Sequence, residues 1–256
     1  MTLWCYPPAA GRFSGEGRWR VGKVTLLEKL VFFVHRAPDL DRAEFCRRYL
    51  EGHAPLVLRH CPKLRRYVVN VMDVGQESSE AADAVAELWF DSIEDFSDRA
   101  RLYDSPDGAA AVERDAAALI GSTAGYRLIE HVQQDYQRSW DGERSPGVKM
   151  VGPLRRAEAL SHDEFVDYWL HKHVPLVLKH LTGMWRYITN VVTEPLTPGA
   201  PEIDGVVELH VRELEDLTDR ERFYDSPEGQ QIMSADSSRF LTRPSRSLAT
   251  EYVLRG

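Results

Sequence analysis

Two histidines stand two residues ahead of a proline in matching surroundings, His53 in "GHAPLVLRH" (52–60) and His173 in "KHVPLVLKH" (172–180). Imidazole titrates near neutrality, so a histidine facing a pocket can take or deliver a proton as general base or acid. A purely structural role fits the same position. Proline removes a backbone N–H and makes a helix kink or end, freeing a carbonyl that a buried neutral imidazole can bond. Two apolar segments, "AVAELWF" (84–90) and "GVVELHV" (205–211), carry Glu87 and Glu208. Each carboxylate is either on a solvated face or desolvated and poised as an acid/base partner, and Glu130 and Glu251 raise the same choice in the closing segments. Strand alternation puts His210 on the face of Glu208, so His173, Glu208 and His210 are expected around one pocket. His53, Glu87 and Trp89 would form the more apolar counterpart, suited to an aromatic ring. Asn70 and Asn190 are candidate donors to a substrate oxygen. Tyr67 and Tyr187 lie three residues earlier and face the opposite way on a regular strand, where they suit the core with their hydroxyls on water or backbone or, alternatively, contact a substrate. His35, which matches Arg155, completes the candidate substrate contacts.

These pairs exist because the sequence repeats itself. A shift of 120 aligns residues 29–72 with 149–192 without a gap, and a shift of 121 aligns 86–108 with 207–229. The inserted residue falls in a loop-like stretch, where insertions are tolerated. Each half reads as strand, helix, two strands, helix and strand. Asp41 with Glu44, and Ser161 with Glu164, have capping-box spacing, and Ser105–Pro106 and Ser226–Pro227 mark the second helix start. The order βαββαβ is the ferredoxin-like unit. Its sheet has one face bare of helices, which the second copy can cover, so the expected architecture is α+β, two repeats closing an intramolecular dimeric α/β barrel. The expected boundaries are an N-terminal extension over 1–23, repeats over 24–136 and 148–256, and a linker over 137–147.

The motifs "EFxxxxLxxHxPLVLxH", "RYxxNV", "ELxxxxxED" and "YDSPxG", present in both halves, resemble the EthD-type branch of the dimeric α/β-barrel superfamily. The resemblance implies a tandem EthD-like protein and favours the HxP histidines as pocket residues. In different branches it implies cofactor-free dehydratases and cyclases, accessory proteins of ether degradation, and related cofactor-free monooxygenases, lactone isomerases or haem enzymes. Fold does not choose among them.

Composition narrows the field. A formal net charge of −8 argues against a nucleic-acid partner, which needs a dense basic surface. Cys5, Cys46 and Cys61 are odd in number, lack CxxC spacing and have no counterparts in the second half, as expected of reduced thiols in a cytoplasmic protein. No apolar run approaches membrane-spanning length. Neither a glycine-rich phosphate loop, HExxH nor GxSxG is present, so neither cofactor nor metal is expected. The expectation is a cofactor-independent lyase or isomerase acting on a small aromatic or polyketide-like carbonyl compound. His173 or His53 would move the proton, Asn190 or Asn70 would hold the oxyanion, and Glu208 or Glu87 would orient the imidazole. The alternatives are a carrier of a hydrophobic metabolite and a cofactor-free monooxygenase. Homo-oligomers of pseudo-dimers remain open.

Overall fold

The computed structural model describes residues 27–73, 82–136, 143–242 and 247–256. The expected N-terminal extension, and residues 137–142 of the expected linker, lie outside them. The first half runs β1 (Glu28–Arg36), α1 (Arg42–Arg48), a π turn (Tyr49–His53), α2 (Ala54–His60), β2 (Arg66–Met72) and β3 (Ala84–Phe90). It continues through the one-turn helices α3 (Glu94–Ser97) and α4 (Arg99–Leu102) to α5 (Pro106–Leu119) and β4 (Ile120–Asp135). The second half repeats the plan: β5 (Val148–Leu154), α6 (His162–Tyr168), a π turn (Trp169–His173), α7 (Val174–His180), β6 (Met184–Pro195) and β7 (Gly205–Val211). Then come α8 (Glu215–Thr218), α9 (Arg220–Phe223), α10 (Pro227–Phe240) and β8 (Ser247–Arg255).

Local chemistry sets the helix starts. The Asp41 side chain accepts from the Glu44 N–H, and Ser161 and Glu164 form a reciprocal capping box. Ser105 and Ser226 accept from the Gly108 and Gly229 N–H groups, with Pro106 and Pro227 next in line.

The eight strands close into a barrel in the order β1-β3-β2-β8-β5-β7-β6-β4. Each half supplies its sheet as β4-β1-β3-β2 or β8-β5-β7-β6, and the seams are β2 with β8 and β6 with β4. Every neighbouring pair is antiparallel, so β1 and β5, four places apart in the ring, run the same way. The two halves are therefore related by a two-fold along the barrel axis, and matched residues sit at the same level of the barrel.

Alternation sends one face of every strand outward under the helices and the other into the barrel. Leu30, Val34, Tyr67 and Val69 pack outward with Phe45 and Tyr49, and Tyr187, Val207 and Leu209 pack outward with Phe165 and Trp169. Val31, Val85, Val151, Val206 and Tyr126 form an apolar cluster inside. Among the described residues no helix is long and apolar enough to cross a membrane.

Candidate functional site

Pro55 and Pro175 have no N–H to return to the preceding turn, and the chain takes up the missing bond as a π turn. The Ala54 N–H reaches the Tyr49 carbonyl, and Val174 reaches Trp169, each five residues back. The wider turn directs Tyr49 with His53, and Trp169 with His173, into buried positions between helix and sheet. There each imidazole meets an aspartate from the long second helix. His53 Nδ1 lies 2.9 Å from Asp115 Oδ2, and His173 Nδ1 lies 2.6 Å from Asp236 Oδ2. A carboxylate only accepts, so Nδ1 donates and the lone pair that can take a proton is on Nε2.

The second dyad is the more tightly built. The Asp236 side chain is 6 % exposed against 28 % for Asp115, and its other oxygen accepts from the Tyr168 hydroxyl at 2.7 Å. Phe240 packs on the His173 ring at a centroid distance of 4.8 Å. Arg48 and Leu119 stand at these positions in the first half, which therefore lacks both the phenol and the phenyl ring. Burial pushes the His53 pKa below the ordinary histidine value, with Asp115 pulling the other way.

His173 borders a cavity of about 400 Å³ between sheet and helices. Tyr187, Met150, Val207 and Leu209 form its sheet wall, while Gln230, Ser234 and Ser237 from α10, with Thr218 and Arg220, supply polar atoms. In the first half the Tyr67 hydroxyl donates to Tyr49 at 3.3 Å, and burial raises the pKa of both phenols. Trp169 replaces Tyr49 in the second half.

The carboxylates and asparagines lie elsewhere, on the inner face of the barrel. Lys29 Nζ is 2.8 Å from Glu87 and 2.6 Å from Glu208, and Lys149 Nζ is 2.6 Å from Glu87 and 2.8 Å from Glu208. The four side chains form a ring of alternating charge, each lysine bridging the two halves. Glu130 adds to Lys29 at 2.7 Å and Glu251 to Lys149 at 2.9 Å. Asn70 Nδ2 donates to Glu87 and the Val85 carbonyl, and Asn190 Nδ2 to Glu208 and the Val206 carbonyl. Burial alone would lower the lysine pKa values, but the surrounding carboxylates outweigh it and hold both above the ordinary range. Glu208 and Glu251 resist the upward push of burial because Lys149 holds them well below the usual carboxylate range.

This geometry corrects the expected grouping. The sheet separates His173 from Glu208, His210 and Asn190, and His53 from Glu87, Trp89 and Asn70. Glu208 and Glu87 therefore orient no imidazole of the π turns, and both amide N–H groups of each asparagine are taken, so neither asparagine serves as an oxyanion donor to the histidine pocket. Trp89 lies under the cations of Lys29 and Arg66, at 4.7 and 4.5 Å from its ring, beside a groove of about 730 Å³ that also reaches Glu130. His35 is half-buried opposite Ser122 at the end of β1 and borders neither space. His180 is 4 % exposed and bonds Asp225 through Nδ1, as His60 bonds Asp104. The aspartate of "YDSPxG" thus ties α2 or α7 to the start of the following long helix.

Glu208, His210 and Glu251 bring three metal-type ligand atoms within 4.8 Å of one another. The Lys149 ammonium already lies against both carboxylates, so a divalent ion would meet a buried like charge, and the donor set does not fit one. Burial, with Lys149 and Arg186 nearby, pushes the His210 pKa down to about 3, against the opposing pull of Glu251.

The dyad aspartates and ring lysines escaped the sequence reading, although both were visible to it. The 121-residue shift continues ungapped through α5 and α10 and superposes Asp115 on Asp236, and the 120-residue shift begins on Lys29 and Lys149.

No curated protein matches the chain by sequence. Among solved structures, an anthrone oxidase-like protein superposes with a TM-score of 0.60 at 10 % identity, covering 91 % of this chain and 93 % of the other. A monooxygenase candidate from Fusobacterium nucleatum gives 0.54 at 7 % identity over 90 % and 93 %. A chlorite dismutase variant from Candidatus Nitrospira defluvii gives 0.51 at 14 % over 88 % and 91 %. At such identities the likeness is one of fold. The sequence itself matches the EthD domain twice, over residues 37–123 and 157–244, one match in each half of the barrel. The chain belongs to the EthD domain family, as a tandem pair folded into one dimeric α/β barrel.

Proposed function

We propose that the protein is an enzyme that moves a proton next to the carbonyl of a small hydrophobic, aromatic or polyketide-like compound, in lyase or isomerase chemistry, with His173 as the general base. The observation that carries this reading is the cavity of about 400 Å³ bordered by an imidazole whose Nδ1 is held 2.6 Å from buried Asp236. Asp236 fixes the ring and stabilises the imidazolium formed on proton uptake, and Tyr168 holds Asp236 in place. Tyr187, Gln230, Ser234 and Ser237 border the same space and supply hydrogen bonds to the oxygen on which charge develops. The apolar sheet wall receives the carbon skeleton and excludes water.

The test is proton exchange in deuterium oxide. Phenolic, lactone and β-keto compounds that shift the protein's melting temperature are incubated with wild type, His173→Ala and His53→Ala, then weighed by mass spectrometry. Deuterium uptake or conversion by wild type and His53→Ala, lost in His173→Ala, supports the reading. Equal turnover by all three sinks it, and saturable binding without exchange or conversion favours a carrier. The names of two fold neighbours, an oxidase-like protein and a monooxygenase candidate, give reason to follow dioxygen in the same assay. Its consumption with a phenolic substrate would move the assignment to a cofactor-free oxygenase that shares the first proton transfer.

A further inference from the structure

The two halves treat one arginine differently. In the first, Glu113 of α5 clasps Arg99 with both oxygens, Nε to Oε1 at 2.8 Å and Nη2 to Oε2 at 3.0 Å. This parallel pair is the arrangement a guanidinium makes with any carboxylate it recognises. In the second half Ser234 occupies the place of Glu113, too short and uncharged to form the clasp. Arg220, the counterpart of Arg99, has no carboxylate partner among the described residues. It borders the His173 cavity together with Ser234 and Gln230, the latter standing where the first half has Ala109. Among the described residues no aspartate or glutamate borders that cavity, and Arg220 is the one permanent charge in its lining. The acids closest in sequence, Asp219 and Glu221, are exposed, and Asp219 is engaged as the α9 cap.

We propose that the second-half cavity takes a hydrophobic carboxylic acid, a fused-ring or similarly sized apolar body whose carboxylate pairs with Arg220 where the first half places Glu113. This rests on the reading of the cavity as a substrate site and names the substrate class. The volume suits a bicyclic or tricyclic skeleton against the apolar sheet wall. Loss of that glutamate is then what frees an ion-paired arginine to act as a recognition group.

The test is isothermal titration of wild type, Arg220→Met, Ser234→Glu and His173→Ala with 2-naphthoate and anthracene-2-carboxylate, each beside its neutral amide. Wild type and His173→Ala are expected to bind the acids at least about tenfold more tightly than the amides, a preference that shrinks as salt rises. Arg220→Met removes the charge, and Ser234→Glu restores the first-half clasp. Both should bring acid and amide to within about twofold of each other, and in Arg220→Met the amide affinity should hold. Equal binding of acid and amide by wild type, absence of binding by both, or a preference surviving in both variants overturns the proposal. The acid/base reading fails separately: deuterium exchange independent of His173 would sink it and leave the acid preference standing.

Discussion

The first-half and second-half histidine sites share a π turn, a proline, an aspartate from the long helix and a tyrosine from the second strand. What differs is the shell. The first half carries the buried Tyr67–Tyr49 hydrogen bond and, at the surface, the Arg99–Glu113 clasp. The second replaces these with Trp169, Arg220 and Ser234, and it buries its aspartate and adds Tyr168. A dyad retained in both copies is thus compatible with scaffolding in one and chemistry in the other. The neighbours of a histidine, rather than its presence, decide which role it plays.

The largest expected effect tests that division. Asp236→Asn should cut turnover by roughly 10²–10⁴-fold, since an amide no longer stabilises the imidazolium, while Asp115→Asn leaves it near wild type. Equal losses in steady-state kinetics would erase the distinction between the halves.

The barrel ring makes the opposite claim, that the halves contribute alike. Lys29→Met leaves Glu130 without its lysine and Glu87 and Glu208 with Lys149 alone, at an expected cost of about 3–5 kcal/mol, and Lys149→Met should cost a similar amount. Chemical denaturation that finds one lysine dispensable would show that the ring is not shared.

His210 stands where the first half has Trp89, so only the second half gains a titrating ring inside the barrel. Its folded pKa of about 3 lies below the unfolded value near 6.5, so its contribution is complete above that value and is lost as pH falls from there toward 3. Between pH 7 and 5 this loss amounts to about 2 kcal/mol, and His210→Gln should flatten that part of a stability profile. His53 shifts in the same direction and supplies the control, because a slope that His53→Ala removes and His210→Gln leaves untouched would reassign it.

The smallest effect should be symmetric. Ser105→Ala and Ser226→Ala each remove a cap from a matched helix and should each cost about 1 kcal/mol, read as paired melting shifts. Since α10 carries Asp236, a larger loss of turnover in Ser226→Ala would tie the cap to the site.

Much of this was legible in the residues. The duplicated motifs, capping pairs and alternation marked two βαββαβ units, and the bare sheet faces required that they pair. Period-2 alternation separated Tyr67 from Asn70 and placed Glu208 with His210. Alternation assigns faces only within a strand, however. Which strand face meets which helix, and which residues of one half reach the other, depends on how the eight strands close. The amino-acid sequence by itself therefore determined the repeat, its elements and the proline-driven turn that aims His53 and His173, because these depend on local backbone chemistry. Only the tertiary structure decided that Asp115 and Asp236 are their partners. It alone put the sheet between the histidines and Glu87 and Glu208, and gave those carboxylates to Lys29 and Lys149, since each of these contacts spans tens to hundreds of residues: the dyads need a folded repeat, and the bridges between halves need a closed barrel.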